Sequence, residues 1–193
     1  MNKQGHRWFQ FLIKIGVRNK KNLSLFLSSF GEGSLPKIVF VCTRNRFRSP
    51  LAAAMLQNEL SFHEFPGEWI VESAGSWVHD LVPPTPEAFF EAEKRELDIS
   101  SHISQGIEAF DLDSIDLLLV MELGQKESIL LDFPKLSNRT YLLSELSGPP
   151  FSIPDPYVSK EPFDEIALEI ESLIKENFKE IITMAHRITT NND

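Results

Sequence analysis

The run Ile115–Met121 (IDLLLVM) sets the tightest limit on how this chain can fold. A short, almost continuous apolar segment reads as a strand buried on both faces, the environment found in a parallel sheet with helices on either side. Lys37–Val41 (KIVFV) is of the same kind, and Trp69–Ser73 (WIVES) and Arg139–Leu143 read as further strands. Helical patterns lie between them. One is expected from Ser49, where Ser-Pro sets an N-cap with proline at the first helical position ahead of LAAAMLQNEL. Others are expected over Pro86–Leu97 and near Gly124–Leu131. A long helix over Phe163–Ile188 is predicted from Ile166, Ile170, Leu173, Ile174, Phe178, Ile181, Ile182 and Ala185 at helical spacing, after a proline-rich stretch at Gly148–Pro156. Strands separated by helices predict right-handed βαβ units in a parallel sheet.

In such sheets ligands bind beyond the carboxyl ends of the strands, and Cys42 stands at that end of the first one. It opens the loop Cys42-Thr43-Arg44-Asn45-Arg46-Phe47-Arg48-Ser49-Pro50, a Cys-x5-Arg-Ser sequence between a strand and a helix. A loop there turns successive backbone N–H groups inward, and the helix that follows adds the positive end of its dipole, which suits an oxyanion such as phosphate. The same field favours thiolate, the nucleophilic form of cysteine. Arg48 has the fork geometry to hold two phosphate oxygens. A lone cysteine ending a buried strand is ordinarily a small core residue, but an Arg-Ser pair six and seven residues on, in this setting, favours chemistry. The five histidines show no metal-ligand spacing, and one cysteine can form neither an intramolecular disulfide nor a multi-cysteine zinc site.

Charge is unevenly spread. The net charge is −9, whereas residues 1–30 hold Lys3, Arg7, Lys14, Arg18, Lys20 and Lys21 with no acid, a formal +6 that leaves −15 for the remainder. An acidic body is unsuited to nucleic acid, whose binding rests on neutralising phosphates. Lys14 and Arg18 interrupt the apolar stretch Trp8–Val17, so neither a secretory signal nor a membrane span is expected, and the protein reads as cytoplasmic. Trp8, Phe11, Leu12 and Ile15 fall on one helical face and the basic residues beside it. Residues 1–34 are therefore expected to be a basic amphipathic extension with a linker at Gly31–Ser34, and residues 35–193 the folded domain. Packing of the extension on its own protein is favoured over contact with a membrane surface.

The Cys-x5-Arg-Ser loop, together with Asp155-Pro156-Tyr157 just before the final helix, resembles the low-molecular-weight protein tyrosine phosphatases. Glu72-Ser73-Ala74-Gly75, Asp98-Ile99-Ser100-Ser101-His102 and the Ile115–Met121 strand are similar to that family as well, so the resemblance covers roughly residues 36–187. It implies a four-stranded parallel sheet in a flavodoxin-like three-layer sandwich, and phosphomonoester hydrolysis through a phosphocysteine intermediate with no metal or cofactor. On it, Cys42 would be the nucleophile, Arg48 the phosphate clamp, and Asp155 the general acid that later activates water. Thr43, Arg44, Asn45, Arg46, Phe47 and Ser49 would complete the phosphate loop. Ser49 would hydrogen-bond the thiolate, Ser73 and His102 would support the loop, and Asn45 suits a left-handed position. Trp77 and Tyr157 would wall the substrate at the rim.

Three loop positions depart from the family: Arg44 replaces a usual glycine, Arg46 a small or apolar residue, and Phe47 a frequent second cysteine. The two arginines add charge at the mouth. Phosphoarginine phosphatases of the family carry threonine at the position of Arg46, and a cationic rim would repel their substrate. The expected substrate is thus phosphotyrosine in a protein or a small acidic phosphomonoester. The alternative is a catalytically weak or inactive phosphate-binding module of the same fold.

Overall fold

The computed structural model describes residues 35–63 and 69–189, so the amphipathic segment expected over residues 1–34 lies outside the described residues. The chain forms β1 (Lys37–Cys42), α1 (Arg48–Phe62), β2 (Ile70–Gly75), α2 (Pro86–Glu93), β3 (Leu117–Val120), α3 (Leu123–Asp132), β4 (Thr140–Leu142), α4 (Pro156–Ser159) and α5 (Phe163–Thr189). All strand pairs are parallel, in the order β2-β1-β3-β4. β1 is central and pairs with both β2 and β3, which is why its residues from Ile38 onward are buried. This is the doubly wound α/β fold that the alternation of strands and helices predicts.

Alternation along the strands divides the core into two layers. Ile38, Phe40, Leu117 and Leu119 face α1 and α5, against Leu51, Leu56, Ile170, Ile174 and Ile181. Val39, Val41, Leu118 and Val120 face the other side, against Ile129 of α3, Leu136 and Ile115. The apolar stripe predicted along the last helix is the face α5 buries, from Ile166 to Ala185. Among the described residues no helix is long and apolar enough to cross a membrane.

Three boundaries differ from the sequence reading. α1 starts at Arg48, with Phe47 at the cap position and no side-chain cap bond, so Ser49 is not the N-cap. Its hydroxyl is engaged in the loop instead, and Pro50 falls later in the first turn, where a missing N–H still leaves no intrahelical bond unmade. β2 runs two residues further than WIVES, because Ala74 and Gly75 pair with Val41 and Cys42. α2 ends as a regular helix at Glu93 rather than Leu97. There Glu96 takes a left-handed conformation (φ 56°) while its N–H bonds Glu93 O and that of Leu97 bonds Ala92 O. This is a Schellman closure with glutamate in the place usually held by glycine.

Candidate active site

β1 delivers Cys42 to the carboxyl edge of the sheet, and the chain then turns through residues 43–47 into α1. The turn depends on Asn45, which sits at φ 55°. Few residues other than glycine adopt that region, and asparagine is among those that do so most readily. Its fully buried side chain ties the loop to three other segments. Nδ2 donates to Ser49 Oγ (3.0 Å) and Ser73 Oγ (2.8 Å), and Oδ1 accepts from the Gln105 backbone N–H (2.9 Å). The Asn45 carbonyl lies 2.8 Å from His102 Nε2. Burial holds the His102 imidazole below its usual pKa, partly countered by that bond, so the ring is neutral and donates through Nε2–H. Among the described residues, no backbone hydrogen bond outside helices and strands uses the N–H of Arg44, Asn45, Arg46 or Phe47 as donor. These donors therefore remain for an oxyanion.

Ser49 Oγ lies 3.1 Å from Cys42 Sγ and 3.1 Å from the Ala74 carbonyl. With one proton to give, the hydroxyl can donate to the carbonyl while sulfur is a thiol and to sulfur once it is a thiolate. Gly75 makes the neighbouring wall. A Cβ there would strike Val78 and come within 2.8 Å of the Thr43 carbonyl, whereas without one the 75–77 segment bonds the loop through Ser76 N–H to Cys42 O and Trp77 N–H to Thr43 O, each 2.9 Å.

Arg48 is 2% exposed, and acceptors meet its guanidinium on both arms. Nη1 donates to Glu122 Oε1 (2.5 Å) and the Ile153 carbonyl (2.8 Å), and Nη2 to Asp155 Oδ2 (3.0 Å) and Thr43 Oγ1 (3.3 Å). Two carboxylates thus compensate one buried cation, which would be strongly destabilising alone. Asp155 caps α4, its Oδ1 accepting from Tyr157 N–H at 3.0 Å. Cys42, Arg44, Arg46, Phe47, Arg48, Thr85, Asp155 and Tyr157 line a narrow cavity of about 80 Å³.

The structure brings together every loop residue singled out from the sequence, with Ser73, His102, Asp155 and Tyr157 around them. Trp77 is the exception among the rim candidates. Its ring is 60% exposed, meets His79 edge-on at 4.6 Å and does not line the cavity. Sequence reasoning missed Glu122, Gln125 and Thr85. Gln125 accepts from the N–H groups of Met121 and Glu122 and donates to Glu122 Oε1 (2.8 Å) and Thr43 Oγ1 (3.1 Å). The available signal was position: Glu122 and Gln125 follow β3 at the same sheet edge as Cys42, with a spacing suited to capping a helix.

A doubly wound parallel sheet whose first strand ends in a Cys-x5-Arg phosphate loop, with an aspartate set against the arginine, defines a cysteine-dependent phosphoric monoester hydrolase. The profile described as "Low molecular weight phosphotyrosine protein phosphatase" matches residues 37–186. The chain belongs to that family. It is 33% identical over 133 residues to a probable low molecular weight protein-tyrosine-phosphatase, EpsP, of Ralstonia nicotianae, covering 69% of this chain and 86% of that protein. It is 31% identical over 140 residues to a protein-arginine-phosphatase of Geobacillus stearothermophilus, covering 72% and 90%. The solved structure of Vibrio vulnificus Wzb in complex with benzylphosphonate superposes with a TM-score of 0.64 at 30% identity, covering 76% of this chain and 99% of that one.

Proposed function

We propose that this protein hydrolyses aryl phosphomonoesters, phosphotyrosine in proteins foremost, with Cys42, Arg48 and Asp155 in the reacting roles. Cys42 Sγ attacks phosphorus as the bond to the leaving oxygen breaks, and Asp155 gives that oxygen its proton. Water then attacks the phosphocysteine, Asp155 takes a proton from it, and the S–P bond breaks to release phosphate and the thiolate. Arg48 keeps Glu122 and the Ile153 carbonyl on Nη1 while Nη2 exchanges Asp155 for a phosphate oxygen, which frees the acid for the leaving group. The backbone donors of residues 44–47 receive the remaining phosphoryl oxygens.

The relatives divide between phosphotyrosine and phosphoarginine at nearly equal identity, so identity does not choose the substrate. The observation that carries the choice is Arg46. Its Nε donates to the Pro83 carbonyl at 3.1 Å, which supports a guanidinium held at the cavity mouth. A phosphoarginine side chain would bring a second cationic group against it, whereas a neutral ring is accepted beside Tyr157. That the Wzb structure holds benzylphosphonate, in which a CH2 stands between an aromatic ring and the phosphonate where an aryl phosphate has oxygen, fits the same reading. A reduced nucleophilic cysteine suits a cytoplasmic setting.

The test is a substrate panel with three proteins. Unmodified protein should cleave phosphotyrosine peptide with a kcat/KM at least about tenfold above phosphoarginine peptide, a preference of about 1.4 kcal/mol. Cys42→Ser should lose at least about a thousandfold in rate. Asp155→Asn should lose more on phenyl phosphate than on p-nitrophenyl phosphate, within the roughly 10² to 10⁴ expected of a general acid. Equal or reversed preference for phosphoarginine overturns the substrate assignment, and an inert unmodified protein overturns the catalytic one.

A further inference from the structure

We infer that Glu87 is a positioning residue for the general acid: by fixing the Tyr157 hydroxyl it places the backbone N–H that holds the Asp155 carboxylate. The inference rests on Asp155 acting as proposed above. Glu87 lies in the first turn of α2, where Thr85 Oγ1 accepts from the Ala88 N–H while the Thr85 N–H donates to the Arg46 carbonyl, so its backbone is set by a helix cap that is itself tied to the phosphate loop. Its Oε2 accepts a hydrogen bond of 2.6 Å from Tyr157 Oη, a residue 70 positions away in sequence. The N–H of the same tyrosine donates to Asp155 Oδ1. One side chain on α2 is thereby linked to the acid through a single intervening residue.

Tyr157 is held on a second side as well. Its ring meets Phe163 edge-on at 4.9 Å, and Phe163 meets Phe47 in the same manner at 5.2 Å. Phe47 immediately precedes Arg48, so the aromatic contacts connect the acid segment to the phosphate loop while Glu87 connects it to α2. The ring contact is non-directional, whereas the bond to the Glu87 carboxylate fixes the position of the Tyr157 hydroxyl. The polarity of the bond is fixed through neutral pH. Burial, then the bond to Glu87, raises the Tyr157 hydroxyl to about 12, and the same bond holds the Glu87 carboxyl below its usual value. The tyrosine is always the donor and the glutamate always the acceptor.

A displaced Tyr157 N–H shifts Asp155 relative to the leaving oxygen, and a misplacement of about 1 Å in a reacting group can lower a rate about a hundredfold. Only chemistry that needs the acid should respond. The experiment measures kcat/KM, which reports P–O cleavage, for aryl phosphates of rising leaving-group basicity from p-nitrophenyl to phenyl, with melting temperature followed for each protein. Glu87→Ala should lose about tenfold more on phenyl than on p-nitrophenyl phosphate. Glu87→Gln retains an acceptor oxygen and should recover all but about threefold of that difference. Tyr157→Phe should show the leaving-group dependence of Glu87→Ala, and the double variant should be no worse than either single one, because both delete one bond. Equal losses across the series, or additive losses in the double variant, overturn the inference. Asp155→Asn in the same series separates this from its premise. A steep Asp155→Asn profile with a flat Glu87→Ala profile removes the role of Glu87 alone, and a flat Asp155→Asn profile removes the acid and with it both.

Discussion

Replacing Asn45 by alanine and by glycine separates backbone strain from hydrogen bonding in the phosphate loop. Both substitutions delete the bonds to Ser49 and Ser73, at about 1 kcal/mol each, and leave the part-buried Gln105 N–H without its acceptor, at about 1 to 3 kcal/mol. The shared loss is roughly 3 to 5 kcal/mol, a large part of the 5 to 15 kcal/mol that stabilises a typical domain. Alanine at φ 55° carries a further strain of about 1 to 2 kcal/mol that glycine escapes. Against this, glycine loses about 0.4 to 1 kcal/mol through its freer unfolded chain. The glycine variant should therefore be more stable than the alanine variant by roughly 1 kcal/mol. Urea unfolding at pH 7 followed by tryptophan fluorescence measures this as a difference in midpoint at constant slope. A glycine variant no more stable than the alanine variant would show that the left-handed backbone at Asn45 carries no strain worth relieving.

Three other outcomes follow from the site. Among the described residues neither Arg44 nor Arg46 forms an ion pair, so phosphopeptides with acidic residues beside the phosphotyrosine should be preferred in kcat/KM at low salt. That preference should fade as the Debye length shrinks to about 8 Å at physiological ionic strength and disappear in Arg44→Ala/Arg46→Ala; equal rates on acidic and neutral peptides at low salt would refute it. His102 is held below its unfolded value of 6.5 by burial, and His186 is pushed down to about 4 by the same cause. Below pH 6.5 the unfolded chain binds protons that the folded one does not, so stability is fully present above 6.5 and falls as pH drops from there towards the folded values. The urea midpoint between pH 7.5 and 5 should follow that course, and His102→Gln should make it shallower while the contribution of His186 remains. Finally, Cys42 is the sole cysteine, so its sulfenic acid has no partner thiol within the chain. Prolonged peroxide should yield irreversible sulfinic acid, visible by mass, and full recovery with a thiol would contradict this.

The parts of the fold legible in sequence are those where one local constraint acts alone. A strand buried on both faces must be apolar throughout, which exposes β1 and β3, and a helix covering a sheet must carry a stripe, which exposes α5. The loop was legible because Cys42, Asn45, Arg48 and Ser49 lie within eight residues and the conformation of Asn45 follows from its own side chain. The close of α2 was hidden because Glu96 adopts a backbone region for which glutamate gives no signal. The end of β2 was hidden because Ala74 and Gly75 are poor strand formers drawn into the sheet by pairing. Glu122, Gln125 and Thr85 gain their places only when β3 and α2 pack beside β1, and the Glu87–Tyr157 bond joins two surface residues that no local pattern connects. Trp77 adjoins the loop through its backbone N–H to the Thr43 carbonyl, while its side chain stands mostly exposed, a direction its sequence position does not reveal.

The buried guanidinium of Arg48 also imposes an order in time on a chain made from its N-terminus. Glu122 follows it by 74 residues and Asp155 by 107. At a synthesis rate of about 5 to 20 residues per second, roughly 5 to 20 seconds pass between the emergence of the phosphate loop and that of its last carboxylate. Until Glu122 emerges, closing the loop would bury an uncompensated cation, and a nascent chain stalled before the Asp155 segment carries the nucleophile without the acid proposed to serve the leaving group. Onset of turnover on a ribosome-bound chain would then mark the moment at which the final segment docks.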